Sequence, residues 1–326
     1  MKTRIAVAVL IVLIAGVGIW LAVATAPPGP TRLVPAWQLL LAENYRAMGV
    51  LDPFLSWSPD SRSVIFSVFG LRSQRDKMFR WEVGEKKLQP IGAGASATYV
   101  TNDEFLYLRR EPKAVLLCSL RSGKEREVAS ALKRGEFWSD VIGIAYNPKR
   151  RTIVARMAEY TQFSTPGTDE YDLTGKLIST VSTRLGEGIV DWSSDPTSGK
   201  SAILVQEKAG GPVSLQIVPK AFGRNARRGR EIAKGNLTSV AWSPNGRTIA
   251  YSQGKIVVAV RPDDFSRVIV ARFGDPDDES DKRTAVRLIW SPNSQYLAVF
   301  VYVPSPAGDY PLYYVLDMSK LKWQSE

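Results

Sequence analysis

The sequence predicts an all-β fold: a six-bladed β-propeller of four-stranded antiparallel blades, preceded by one N-terminal apolar helix. Three observations predict it. An apolar run, an aromatic anchor, a sharp turn and a second apolar run recur as FLSWSPDSRSVIFS (54–67), LTSVAWSPNGRTIAYS (237–252) and LIWSPNSQYLAVF (288–300). Fainter copies, ATYVTNDEFLYL, IGIAYNPKRRTIVAR and GIVDWSSDPTSGKSAILV, fill the interval and place the anchors at Trp57, Tyr99, Tyr146, Trp192, Trp242 and Trp290, 42 to 50 residues apart. That period, about 40–50 residues, is the one propeller blades use. Each unit then carries a second apolar run, polar turn and short run, from MFRWEVGEKKLQPIG in the first to LYYVLDMSKLKWQSE in the last.

Each unit therefore supplies four strands, A to D, with the anchor phrase joining A to B. In SPNG, Pro244 presets φ for the second turn position, Asn245 suits the third and Gly246 follows. The flanking runs are short and rich in Val, Ile, Tyr and Ala, as strands should be. Blade 1 opens near Leu51, and blade 6 finishes its D strand at the C-terminus. The ring is then expected to close by blade 6 packing on blade 1, without a shared strand.

These units resemble the WD40-like repeats of the TolB-type propellers, whose phrase is close to W-S-P-D-G-x-x-[IL]-[AV]-[YF]. Trp57-Ser58-Pro59-Asp60, Trp242-Ser243-Pro244-Asn245-Gly246 and Trp290-Ser291-Pro292-Asn293 match it, and the resemblance covers roughly residues 51–326. It implies a binding scaffold, a lid on a peptidase or, occasionally, an enzyme, and the fold alone does not choose among them. The α/β domain of the TolB member and the hydrolase domain of the peptidase relatives have no counterpart in this sequence.

Upstream, Lys2 and Arg4 precede an uncharged, mainly apolar run of 22 residues, Ile5 to Ala26. Spanning a bilayer takes about 20 residues and a signal-peptide core about 7–15, so the length favours a retained anchor; Ala22-Val23-Ala24 would allow cleavage instead. Both routes place the propeller outside the cytoplasm, anchored in the membrane or released after cleavage. PPGP (27–30) reads as a stiff spacer, and AWQLLLAENYRAMG (36–49) has the apolar spacing of one short helix.

Composition narrows the chemistry. The chain has no histidine, which removes Ser-His-Asp and Cys-His arrangements and nearly all usual catalytic zinc sites. Its one cysteine, Cys118, falls in the predicted C strand of blade 2 and is expected to be a buried, inert thiol. No cofactor is expected. DPDDESD (275–281) has calcium's preferred ligand type but not the EF-hand register, and reads as a solvated acidic loop. Net charge is +11, or +9 once Lys2 and Arg4 are set aside, which suits anionic headgroups, an acidic polymer or an acidic protein. The densest basic run, KAFGRNARRGREIAK (220–234), reads as a loop between strands C and D of blade 4. No nucleic-acid recognition motif is present.

A meander sends its A–B and C–D turns to one end and its B–C and D–A connections to the other. The second end holds the irregular loops, and binding is expected there, at Arg72, Arg75, Arg109, Arg110, Trp138, Tyr160 and Tyr310. The sequence thus points to a non-catalytic binding module of the cell envelope with a protein or acidic-polymer partner. The alternative is a polysaccharide lyase or hydrolase using carboxylates and tyrosine in the central channel. Two or more acids converging at the channel mouth would mark it.

Overall fold

The computed structural model describes residues 45–46, 55–70, 75–85, 87–110, 113–129, 140–158, 168–181, 189–208, 210–219, 229–274, 283–303, 310–321 and 323. They form six separate antiparallel sheets that follow one another along the chain, the organisation of a six-bladed propeller. Blade 1 comprises β1 (Tyr45–Arg46), β2 (Leu55–Trp57), β3 (Ser63–Gly70), β4 (Arg75–Glu82) and β5 (Gln89–Gly92). Blade 2 comprises β6 (Ala95–Tyr99), β7 (Glu104–Arg110), β8 (Lys113–Ser119) and β9 (Glu125–Ala129). Blade 3 runs through β10 (Asp140–Asn147), β11 (Thr152–Ala158), β12 (Thr168–Tyr171) and β13 (Leu177–Val181). Blade 4 runs through β14 (Ile189–Ser194), β15 (Ser201–Gln206), β16 (Val213–Val218) and β17 (Arg230–Gly235). Blade 5 has β18 (Leu237–Trp242), β19 (Ile249–Gln253), β20 (Ile256–Val260) and β21 (Arg267–Arg272). Blade 6 has β22 (Thr284–Trp290), β23 (Tyr296–Val303) and β24 (Tyr310–Asp317).

The blades pack face to face through apolar cores shared by neighbours. Trp57, Phe66 and Trp81 of blade 1 meet Ala298, Phe300 and Tyr313 of blade 6, so the ring closes by packing, as the repeat pattern predicts. Trp57 stacks on Tyr296 with ring centroids 6.0 Å apart, and its indole N–H donates to the Ile289 carbonyl at 3.1 Å. Trp290 repeats that bond one blade back, donating to the Ala241 carbonyl at 3.1 Å inside the core between blades 5 and 6. Trp242 lies in the core between blades 4 and 5, and Tyr99 in the core between blades 1 and 2. Tyr146 and Trp192 occupy the same slot but are only partly buried.

The two ends of the propeller differ from the expectation in detail. Tyr45–Arg46 pairs as a strand with Gly70 and Phe69, so the helix expected over 36–49 does not include these residues; the rest of it, and the apolar run 5–26, lie outside the described residues. At the other terminus the chain forms a 3-10 turn, Met318–Lys320, directly after β24. Asp317 caps that turn by accepting from the Ser319 amide at 3.1 Å; blade 6 has three strands among the described residues, and residues 322 and 324–326, where its D strand is expected to end, lie outside them.

Candidate functional site

At three junctions, between blades 1 and 2, 2 and 3, and 4 and 5, inner strands are joined by side-chain oxygens that accept backbone N–H groups across the boundary. Ser56 Oγ accepts from Tyr99 N (3.1 Å), Ser96 Oγ from Ile144 N (2.6 Å) and Thr98 Oγ1 from Tyr146 N (3.3 Å). Ser193 Oγ accepts from Trp242 N (2.8 Å) and Asp191 Oδ2 from Val240 N (2.9 Å). Asp191 also receives the Arg287 guanidinium at 3.4 Å, an ion pair that reaches from blade 4 over the inner strand of blade 5 to blade 6. Among the described inner-strand side chains Asp191 is the single carboxylate, and both of its oxygens are engaged. Three inner strands carry a bulge four residues before the anchor, at Ile142, Thr238 and Val286, which turns the local pleat while keeping the anchor in register.

The end bearing the A–B and C–D turns is built by a repeated polar device. In WSPD and its two clear copies, Ser58, Ser243 and Ser291 donate from Oγ to Asp60, Asn245 and Asn293 at 2.6, 2.8 and 2.7 Å. The same hydroxyls accept the amides of Ser63, Thr248 and Tyr296 at 2.9–3.0 Å. The third loop residue takes positive φ: +63° at Ser61, +74° at Gly246 and +60° at Ser294. Ser61 and Ser294 turn that position to use by accepting the amides of Asn293 (3.0 Å) and Asn245 (3.1 Å) from the preceding blade's turn. Gly246 has no such room, because a Cβ there would lie 2.7 Å from Thr197 Oγ1 and 2.9 Å from Asp195 Oδ1.

A second device is D-x-[ST]. Asp172, Asp195, Asp264 and Asp317 each accept both the amide and the hydroxyl of the residue two positions on: Thr174, Thr197, Ser266 and Ser319. At Asp172 and Asp264 those hydroxyl bonds lead in holding the carboxyl below its usual range. At Asp195 and Asp317 burial pushes upward, and the hydroxyl and amide bonds outweigh it. These four acids are thus folded back onto their own turns. Of this end's cations, Arg121, Arg150, Arg261 and Lys320 pair with Asp103, Glu170, Asp264 and Asp317. Two arginines place their guanidinium carbons over aromatic rings at the outer rim: Arg230 over Phe265 at 3.8 Å and Arg261 over Trp323 at 4.5 Å.

The opposite end holds the residues singled out from the sequence. Arg75 begins β4, Arg110 ends β7 and Tyr310 begins β24, so all three stand at strand ends there. Arg109 is partly exposed and pairs with Glu127 at 3.3 Å across blade 2. Arg72, Trp138 and Tyr160 lie outside the described residues, as does DPDDESD. Cys118 is buried in β8, and burial, then the Glu125 carboxylate, push its thiol pKa up, in keeping with an inert thiol. No cluster of three or more Cys, Asp or Glu side chains that could hold a metal occurs among the described residues.

No protein-family model matches the chain, and no curated protein matches its sequence. Solved structures do resemble it. An oligogalacturonate lyase from Vibrio parahaemolyticus matches over 88% of this chain and 92% of its own, with a TM-score of 0.51 and 11% identity. A chain of the mitotic checkpoint complex matches over 88% of this chain and 83% of its own, with a TM-score of 0.41 and 13% identity. At such identity the likeness to the lyase is one of fold, and it agrees with a multi-bladed propeller.

Proposed function

We propose that this chain is a membrane-anchored, extracytoplasmic propeller of the TolB-like, WD40-repeat kind that binds a protein or polymer partner of the cell envelope without catalysis. One observation carries this reading: polar side chains of the inner strands, among them Ser56, Ser96, Thr98, Ser193 and Asp191, accept backbone amides of the neighbouring blade. Asp191, the one described carboxylate there, is held by the Val240 amide and the Arg287 guanidinium. A glycoside hydrolase working without histidine commonly uses a pair of carboxylates, one of them free to exchange a proton with substrate. An acid locked between a backbone amide and a guanidinium is suited to fixing geometry instead. Anchoring through residues 5–26 rests on the length and charge pattern of that run.

The reading is tested by affinity capture of the detergent-solubilised full-length protein from native membranes, with partners identified by mass. Asp191→Asn, which keeps an acceptor for the Val240 amide, is compared in parallel. Capture that survives this change supports a scaffold. A bound polymer that wild type shortens and Asp191→Asn leaves intact would establish an enzyme.

A further inference from the structure

The rim of blades 4 to 6 carries an arrangement that the turns themselves do not require. Arg230 opens β17, directly after the basic stretch 220–228, and its guanidinium lies over the Phe265 ring at 3.8 Å. Phe265 belongs to the C–D turn of blade 5, where it takes a positive φ of +63°. The same turn begins with Arg261, whose guanidinium lies over the Trp323 ring at 4.5 Å, beyond the 3-10 turn of blade 6. Guanidinium and ring therefore alternate around three consecutive blades. A guanidinium held against a ring keeps its planar fork of N–H donors near one position, where oxyanions can be met. Arg261 also makes a long ion pair with Asp264 Oδ2 at 3.7 Å, while Oδ1 of that acid accepts the Ser266 amide and hydroxyl.

We propose that this rim docks an extended polyanion, a flexible chain whose successive oxyanion groups meet Arg230 and Arg261 from one blade to the next. The proposal rests on the scaffold reading and names its partner class. Arginine, rather than lysine, at both stacked positions suits bidentate contact with phosphate or carboxylate oxygens. A linear chain fits sites repeated along a rim. Strand direction also favours a polymer over a bilayer. The chain enters blade 1 at β1, beside Phe69 and Gly70, which is the end opposite the C–D turns. An upstream segment held in a membrane would then direct the rim away from the lipid surface.

The test titrates the purified full-length protein with long-chain inorganic polyphosphate and, separately, with phosphatidylcholine vesicles containing phosphatidylglycerol, each over a range of salt. The Arg230→Gln/Arg261→Gln variant is expected to bind polyphosphate about tenfold more weakly, with a shallower salt dependence. Lys149→Gln/Arg151→Gln removes the same charge from blade 3 and is expected to cost less than about twofold. Trp323→Leu keeps every charge but removes a ring, and is expected to weaken binding about threefold. Unchanged thermal midpoints confirm that each variant is folded. Equal losses from the rim and blade 3 variants would reduce the effect to general charge and overturn the proposal. So would tight binding to vesicles with none to polyphosphate. Capture of a membrane partner by wild type and rim variant alike, without polyphosphate binding, overturns the rim assignment and leaves the scaffold reading standing. Cleavage of a captured polymer does the reverse.

Discussion

Blades 5, 6 and 1 form one continuous arc of the ring, and blades 2, 3 and 4 form the other. In the first arc the anchor phrase is intact, and the coupling between blades runs through it. Trp290 and Trp57 each donate an indole N–H to the preceding blade, and the turns are tied by Asn245 to Ser294 and Asn293 to Ser61. In the second arc tyrosine replaces tryptophan at positions 99 and 146, and no indole bond to the preceding blade is possible there. The coupling moves inward, to Ser56, Ser96 and Thr98, which accept amides of the next inner strand. Five of the six apolar cores draw on two neighbouring blades, whereas the one around Trp192 draws, among the described residues, on blade 4 alone. Two chemistries thus do one job; inner-strand acceptors also serve beside intact phrases, at Ser56 and Ser193, whereas the indole bond to the preceding blade is made only where tryptophan is kept.

That contrast can be broken by mutation, and the largest effect should come from the anchors. Trp290→Ala removes a buried ring and its hydrogen bond from a core shared by two blades, and should cost about 3–5 kcal/mol in urea unfolding. Trp192→Ala, at a partly buried ring, should cost clearly less, and equal losses would erase the distinction between the arcs. Gly246→Ala places a methyl against Thr197 and Asp195 at positive φ, and should cost about 1–3 kcal/mol by the same measurement. Ser96→Ala leaves the Ile144 amide without its acceptor and should cost about 1–2 kcal/mol. A neutral result there would show that the inner hydroxyls do not couple the blades.

The smallest effect is a pH dependence within blade 3. Glu170 is buried, and the Thr152 hydroxyl bond at 2.5 Å, followed by Arg150 at 2.9 Å, holds its carboxyl below the usual range. A lowered folded pKa contributes stability that is complete above the unfolded value and is lost as pH falls through the folded one. Glu170→Gln should therefore lower stability near neutrality and flatten its decline between about pH 5 and pH 3. An unchanged acid limb would place the titration elsewhere.

The fold was legible because each anchor phrase couples an aromatic residue to a turn with strict backbone demands. That pairing survives as a spacing even where Tyr99 or Tyr146 has replaced tryptophan. The bulges at Ile142, Thr238 and Val286 were not legible, since a bulged position in a strand makes no particular demand on its side chain. The hydroxyls of Ser56, Ser96 and Thr98 carry no period either, and each reads as an ordinary strand residue. D-x-[ST] occurs in the sequence at Asp172, Asp195, Asp264 and Asp317, but also at Asp191, which joins inner strands instead, so the pattern by itself did not separate turn-makers from other acids. The candidate binding residues were drawn from loop irregularity. Of those seven, Arg109 is the one whose side chain is described, and it is paired with Glu127. The stacked arginines at the rim went unread because Arg230 and Phe265 meet only through the packing of blade 4 on blade 5.

The central claim is a ring of six blades closed by blade 6 on blade 1, and one crosslink tests it directly. Asn293 N and Ser61 Oγ are 3.0 Å apart across that junction, although the residues are distant in sequence. Ser61→Cys with Asn293→Cys should form an intramolecular disulfide on mild oxidation, with the buried Cys118 remaining reduced. The expected result is a monomer of faster mobility on a non-reducing gel and a raised urea midpoint. Crosslinked dimers from a folded protein would contradict closure at this junction.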